Sequence, residues 1–134
     1  MTIAAVADTH TALWYLYDDP RLSLAAGTFI DKAAMARHKI AVSSISLAEV
    51  VFLVEKSRLK PSVYEDFKQA LADPEHVFCE ATFNASVVES MRTVLRAEVP
   101  DMPDRIVAAT GVYFGVPVLS RDRRIRAANL ETIW

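Results

Sequence analysis

Four carboxylates sit at positions where an α/β protein usually does its chemistry. Asp8 directly follows the apolar run Ile3-Ala4-Ala5-Val6-Ala7, and Asp122 follows Val118-Leu119-Ser120-Arg121. Glu49 and Asp104 each interrupt an apolar helical segment, Ser46-Leu47-Ala48-Glu49-Val50-Val51 and Pro103-Asp104-Arg105-Ile106-Val107-Ala108. Acids at strand ends and helix starts are expected to converge on one edge of a sheet. Carboxylates gathered in one pocket repel each other, and a hard divalent cation such as Mg²⁺ is the usual remedy. Such an ion activates water and neutralises the charge that builds up on a phosphodiester during hydrolysis. Each acid also has an ordinary structural reading. Asp8 before Thr9 can cap a helix, and Ser46-x-x-Glu49 fits a capping box. Asp104 would suit the positive end of a helix whatever its role, and Asp122 can open a polar turn.

Histidine offers no competing chemistry. His10 reads as a surface or packing residue, and His38 and His76 precede strands and look solvated. No His pair is available for metal-free phosphodiester cleavage.

The elements that must position these acids follow from hydrophobic spacing. Residues 3–7 and 39–43 read as wholly buried strands, 77–80 and 116–119 as two more, and 131–134 as a short fifth. Helical spacing covers 9–17, 23–37, 46–56, 62–71, 84–95 and 103–114, with Asp18-Asp19-Pro20 ending the first and Gly115 the last. In 84–95 the apolar stripe is Val87, Val88, Met91 and Leu95. Strands without polar alternation, separated by helices, predict a three-layer α/β domain spanning 1–134, with a parallel sheet covered on both faces. In such sheets the working crevice lies at the carboxyl ends of the strands.

Composition narrows the field further. Of 134 residues, 52% are apolar and 24% charged, which excludes a disordered tail. Ile40 to Val54 is broken by Ser43, Ser44, Ser46 and Glu49, so it does not read as a membrane span. The lone Cys79 reads as an ordinary buried thiol; with no disulfide framework and no signal peptide, a reducing cytoplasm is expected. The net charge of −2 speaks against a strongly cationic nucleic-acid binder. Setting aside Asp8, Glu49, Asp101, Asp104 and Asp122 removes that objection, because 12 acids then face 15 bases.

Four stretches taken together resemble the PIN-domain nucleases, and among them the VapC-type ribonuclease toxins of bacterial toxin–antitoxin modules. They are Val6-Ala7-Asp8-Thr9-His10 with Leu13-Trp14 behind it, Ser46-Leu47-Ala48-Glu49-Val50, Asp101-Met102-Pro103-Asp104-Arg105-Ile106-Val107-Ala108-Ala109-Thr110, and Val118-Leu119-Ser120-Arg121-Asp122. The resemblance implies a PIN-like fold over nearly the whole chain. It gives a metal-site and catalytic role to Asp8, Glu49, Asp104 and Asp122, with Asp101 as a further acid. Thr9 and Ser120 match small hydroxyl positions beside the acids, and Arg105 a motif position that supports the site.

The activity implied is a Mg²⁺-dependent (or Mn²⁺-dependent) endoribonuclease, the toxin of a toxin–antitoxin pair, with an antitoxin partner and a homodimer. Arg121, Arg123 and Arg124, with Arg126 nearby, read equally as phosphate contacts or as surface salt bridges. Trp14, Tyr15 and Tyr17 could stack bases, but their helical spacing favours packing. Residues 50–54 are apolar all round their helix, which predicts burial on most sides. Two other functions compete: a PIN-type nuclease of RNA processing without an antitoxin, and a non-catalytic module using the acidic pocket for binding.

Overall fold

A computed structural model describes residues 1–134. The chain runs β1 (Ile3–Ala7), α1 (Thr9–Leu16), α2 (Leu24–Met35), β2 (Lys39–Ser43), α3 (Ser44–Glu55) and α4 (Pro61–Ala72). It continues through β3 (Phe78–Ala81), α5 (Ala85–Met91), α6 (Met102–Phe114), β4 (Val118–Leu119), α7 (Arg123–Ala127) and β5 (Thr132–Ile133). The strands form one five-stranded sheet in the order β3-β2-β1-β4-β5, with every pairing parallel. This is the expected α/β architecture. Strand order reverses between β1 and β4, so a crevice opens there at the carboxyl edge. Asp8 and Asp122 follow those two strands.

Period-two alternation divides each buried strand between two apolar layers. Ala5, Ala7, Ile40, Val42 and Leu119 face a core completed by Leu13, Ile30, Val50 and Phe67 from α1 to α4. Val6, Ala41 and Val118 face the other side, against Val87 of α5, Val107 to Ala109 of α6 and Ile125 of α7. Small residues let α6 lie close to the sheet. A Cβ on Gly111 would stand 2.7 Å from Val118 Cγ2 and 3.3 Å from the Val116 carbonyl oxygen.

Four of the seven helices end on a left-handed residue, and only one of those residues is glycine. Asp18, Arg37 and Ser57 have φ of 51°, 59° and 56°, and only Gly115, at 66°, is the usual choice. In each case the next residue's N–H reaches the carbonyl five positions back: Asp19 to Trp14, His38 to Ala33, Arg58 to Leu53 and Val116 to Gly111. With three glycines in the chain, three of these four helix ends accept the strain of a side chain in this region.

The structure corrects several local expectations. Helix α3 begins at Ser44 with Ser43 as its cap, so Ser46 and Glu49 lie inside the helix and form no capping box. Residues 50–54 are not buried all round: Val50 is, but Val51 and Phe52 are exposed. Helix α5 stops at Met91, leaving Val88 and Leu95 exposed while Val94 and Val99 take the buried positions. The polar turn expected at Asp122 instead caps α7. His76 is half-buried rather than solvated; its Nδ1 accepts the Phe78 N–H at 3.0 Å, and burial lowers its pKa. Cys79 is half-buried in β3, and burial raises its thiol pKa. No helix is long and apolar enough to cross a membrane.

Candidate active site

Asp8 ends the central strand and caps α1, and both roles fix its carboxylate. Oδ1 accepts the Thr11 N–H at 2.9 Å, and Oδ2 accepts the Ser120 hydroxyl from across the strand-order reversal. Ser120 also accepts the Asp122 N–H at 3.0 Å, so one hydroxyl ties the acids of β1 and β4 together. Asp122 caps α7, accepting from the backbone of Arg124 and Ile125 at 2.8 and 3.1 Å. Asp101 caps α6, accepting the Asp104 N–H at 3.0 Å. The capping and functional readings of these residues therefore coexist. Three acids are aimed by helix N-termini, whose N–H groups favour the charged carboxylate.

Glu49 reaches the same place from the second turn of α3. Thr9 Oγ1 donates to Glu49 Oε1 at 2.6 Å and is hydrogen-bonded to Ser46 Oγ at 2.8 Å. Thr9 and Ser46 are both buried, so this contact locks α1 to α3 while orienting the glutamate. Asp8, Glu49, Asp101, Asp104 and Asp122 together line one cavity of about 330 Å³. All five acids singled out in the sequence are brought together, although they span positions 8 to 122.

No cation neutralises them from within the chain. The only ion pairs are Arg21–Asp19 and Arg92–Glu89, both elsewhere. Burial, with the charges of Asp122, Asp101, Glu49 and Asp8, raises the Asp104 pKa to about 7. Burial also raises that of Glu49, against the Thr9 hydrogen bond and His10, which lower it. A pocket that pushes its own acids toward protonation is short of positive charge.

The donor set suits a hard divalent cation, since it is all-oxygen and strongly anionic. It is not a ready-made cage, because no three His, Cys, Asp or Glu side chains converge in ligating geometry. An ion held here would have to keep several of its waters, as Mg²⁺ can. Thr11 also lines the cavity, and its fully buried hydroxyl has no hydrogen-bond partner in the protein.

Basic and aromatic residues sort less uniformly. Arg121 lines the cavity, whereas Arg123 and Arg124 are exposed on α7 outside it. Arg105 neither grips the cavity nor touches an acid. Its guanidinium donates to the Val94 and Met91 carbonyls at 2.9 Å each, pinning the segment after α5 onto α6. His10 and Trp14 stand on the cavity wall. The sequence alone favours packing or surface roles for both and does not single out Thr11. The available signal was helical spacing, since Thr11 and Trp14 lie three apart on one face of α1. Tyr15 and Tyr17 donate to Asp31 at 2.8 Å and Asp66 at 2.6 Å, tying α1 to α2 and α4.

Comparison with known proteins supplies the family. The model of the PIN domain family matches residues 5–130. The chain belongs to the PIN domain family. It is 31% identical over 132 residues to Ribonuclease VapC22 of Mycobacterium tuberculosis (strain ATCC 25618 / H37Rv), covering 95% of each chain. Its fold is also that of a chain in the crystal structure of VapBC2 from Rickettsia felis bound to a DNA fragment from their promoter. That likeness has a TM-score of 0.71 at 18% identity and covers 97% of both chains.

Proposed function

We propose that this PIN domain is a divalent-metal-dependent endoribonuclease, residues 1–134 acting as one catalytic unit, and the toxin of a toxin–antitoxin pair. The observation that carries the chemistry is five carboxylates around one cavity with no ion pair among them. The likeness to a protein named Ribonuclease VapC22 supports RNA as the substrate, and the VapBC2 neighbour supports an antitoxin partner.

Asp8, Glu49, Asp104 and Asp122, with Asp101 beside them, would hold Mg²⁺ or Mn²⁺. A divalent cation supplies the positive charge that offsets the phosphodiester oxygens and makes water acidic enough to attack phosphorus near neutral pH. The chain's own contribution is orientation. Ser120 and the Thr11 N–H hold both oxygens of Asp8, and Thr9 holds Glu49. Burial and the neighbouring acids push the Asp104 pKa up to about 7, so at neutral pH about half of these carboxyls would carry a proton that a bound cation would drive off. Arg121, with Arg123 and Arg124 farther out, supplies charge for the RNA backbone. Exposed Val51, Phe52 and Leu95 favour a toxin that works with protein partners over a solitary RNA-processing nuclease.

The decisive test is RNA cleavage in Mn²⁺ by the wild type and by Asp8→Asn. The wild type is expected to cleave, and the variant to lose at least a hundredfold in rate, a loss typical of removing one group that stabilises charge in the transition state. Equal cleavage by both would overturn the metal-nuclease reading. Expression should arrest growth, and Glu49→Gln should relieve the arrest; a harmless wild type would remove the toxin assignment.

A further inference from the structure

Trp14 is only 6% exposed, yet its indole is a meeting point for charged and aromatic side chains. The Arg121 guanidinium carbon lies 4.7 Å from the ring centroid and that of Arg21 5.1 Å. The Trp134 ring backs the indole at 5.8 Å, and His10 approaches at 5.7 Å. The two arginines differ in what they have left to give. Arg21 is committed to Asp19 by contacts of 2.8 and 3.0 Å. Arg121 lines the carboxylate cavity and is in no ion pair.

That is unexpected on charge alone. An arginine beside five carboxylates should close onto one as a two-pronged pair, the strongest contact it can make. The indole face offers the guanidinium an alternative seat. Its backbone is also fixed on both sides, since Ser120 is bonded to Asp8 and Asp122 caps α7. Arg121 is thus held at the cavity wall with its donors free.

We infer that Arg121, seated on Trp14, grips a phosphate of the nucleic-acid strand next to the scissile bond, and that Trp14 is the positioning residue that keeps it from collapsing onto the acids. This rests on the nuclease reading above and deepens it. Of the arginine cluster, only Arg121 is presented to the cavity. A guanidinium bound to a phosphate removes charge repulsion between the strand and the carboxylates and sets the register of the strand over the site.

The test uses the intact chain and a labelled single-stranded RNA, with binding measured in Ca²⁺ and cleavage in Mn²⁺. Arg121→Gln should weaken binding about tenfold, as expected for one charged hydrogen-bonding contact. It should also flatten the dependence of log affinity on log salt by about 0.7, the signature of one lost phosphate contact on a single strand. KM should rise more than kcat falls. Trp14→Leu should reproduce both changes and Trp14→Phe should show smaller ones, because the phenyl ring still offers a face. The double variant Arg121→Gln/Trp14→Leu should be no worse than either single one. Lys68→Gln, the same charge change on α4, is the control. A purely structural role for Trp14 would lower Tm without moving the salt slope. If Arg121→Gln behaves like Lys68→Gln, or the two losses add, the inference fails while the nuclease reading stands. If the wild type neither binds nor cleaves RNA, both fail.

Discussion

Asp104 is where the electrostatic cost of the site is most concentrated. Its carboxyl is half-buried among four other acids, and its pKa rises from 3.8 to about 7. Between those values the folded chain binds more protons than the unfolded chain, so stability falls as pH rises. The metal-free protein should therefore melt at a lower temperature at pH 8 than at pH 5. Millimolar Mn²⁺ should reverse the trend at pH 8, because an ion present at a hundred times its Kd stabilises by about 2.7 kcal/mol. Asp104→Asn should raise Tm in the metal-free protein at pH 8, shrink the Mn²⁺ effect and abolish cleavage. Thermal melts at the two pH values, with and without Mn²⁺, check all of this. A melting temperature that does not fall between pH 5 and 8 would remove Asp104 as the group under strain. The acids themselves were legible in the sequence because a charge inside an apolar run is conspicuous. Thr11, Trp14 and the bonding of Arg105 were not, because their roles depend on what stands opposite them.

At the scale of elements, two glycines of α6 and its end make opposite demands. Gly111 is required by close approach, since an added Cβ would meet the buried Val118 side chain at 2.7 Å. Gly111→Ala should cost about 1–3 kcal/mol through overpacking, despite alanine's better helix propensity. Gly115 has open space around it and only a conformational reason to be glycine. Gly115→Ala should cost about 1–2 kcal/mol, and Ser57→Gly, at the left-handed end of α3, should gain about 1 kcal/mol. Denaturant melts of the three variants separate crowding from backbone strain. The sheet and the major helices follow from apolar periodicity, which is why β1, β2, α2 and α6 lie within a residue or two of their expected bounds. The failures have local causes. Helix α3 starts two residues early because Ser43 can cap as well as a later serine. Helix α5 ends early because Val94 and Val99, rather than Leu95, fill the layer beneath α6. Helix α7 spans only Arg123–Ala127, too short for a periodicity to register.

At the scale of the molecule, the apolar excess is partly left at the surface. Val51 and Phe52 on α3, Val88 on α5 and Met102 at the start of α6 are all exposed, and α6 packs on both α3 and α5. We expect a homodimer that uses this side of the molecule, detectable by sedimentation equilibrium and weakened by Phe52→Glu. A wild type that stays monomeric at high concentration would leave these residues to the antitoxin alone. The hydroxyl contact between Ser120 and Asp8 joins residues 112 positions apart. It follows that the acidic pocket cannot exist on a partly made chain. β1, β2 and β3 are neighbours in the sheet and precede α6, but the wall bearing Ser120, Arg121 and Asp122 is made only after α6 and β4. A chain that stopped before Ser120 would keep four of the five acids but lose both Asp122 and the hydroxyl that holds Asp8.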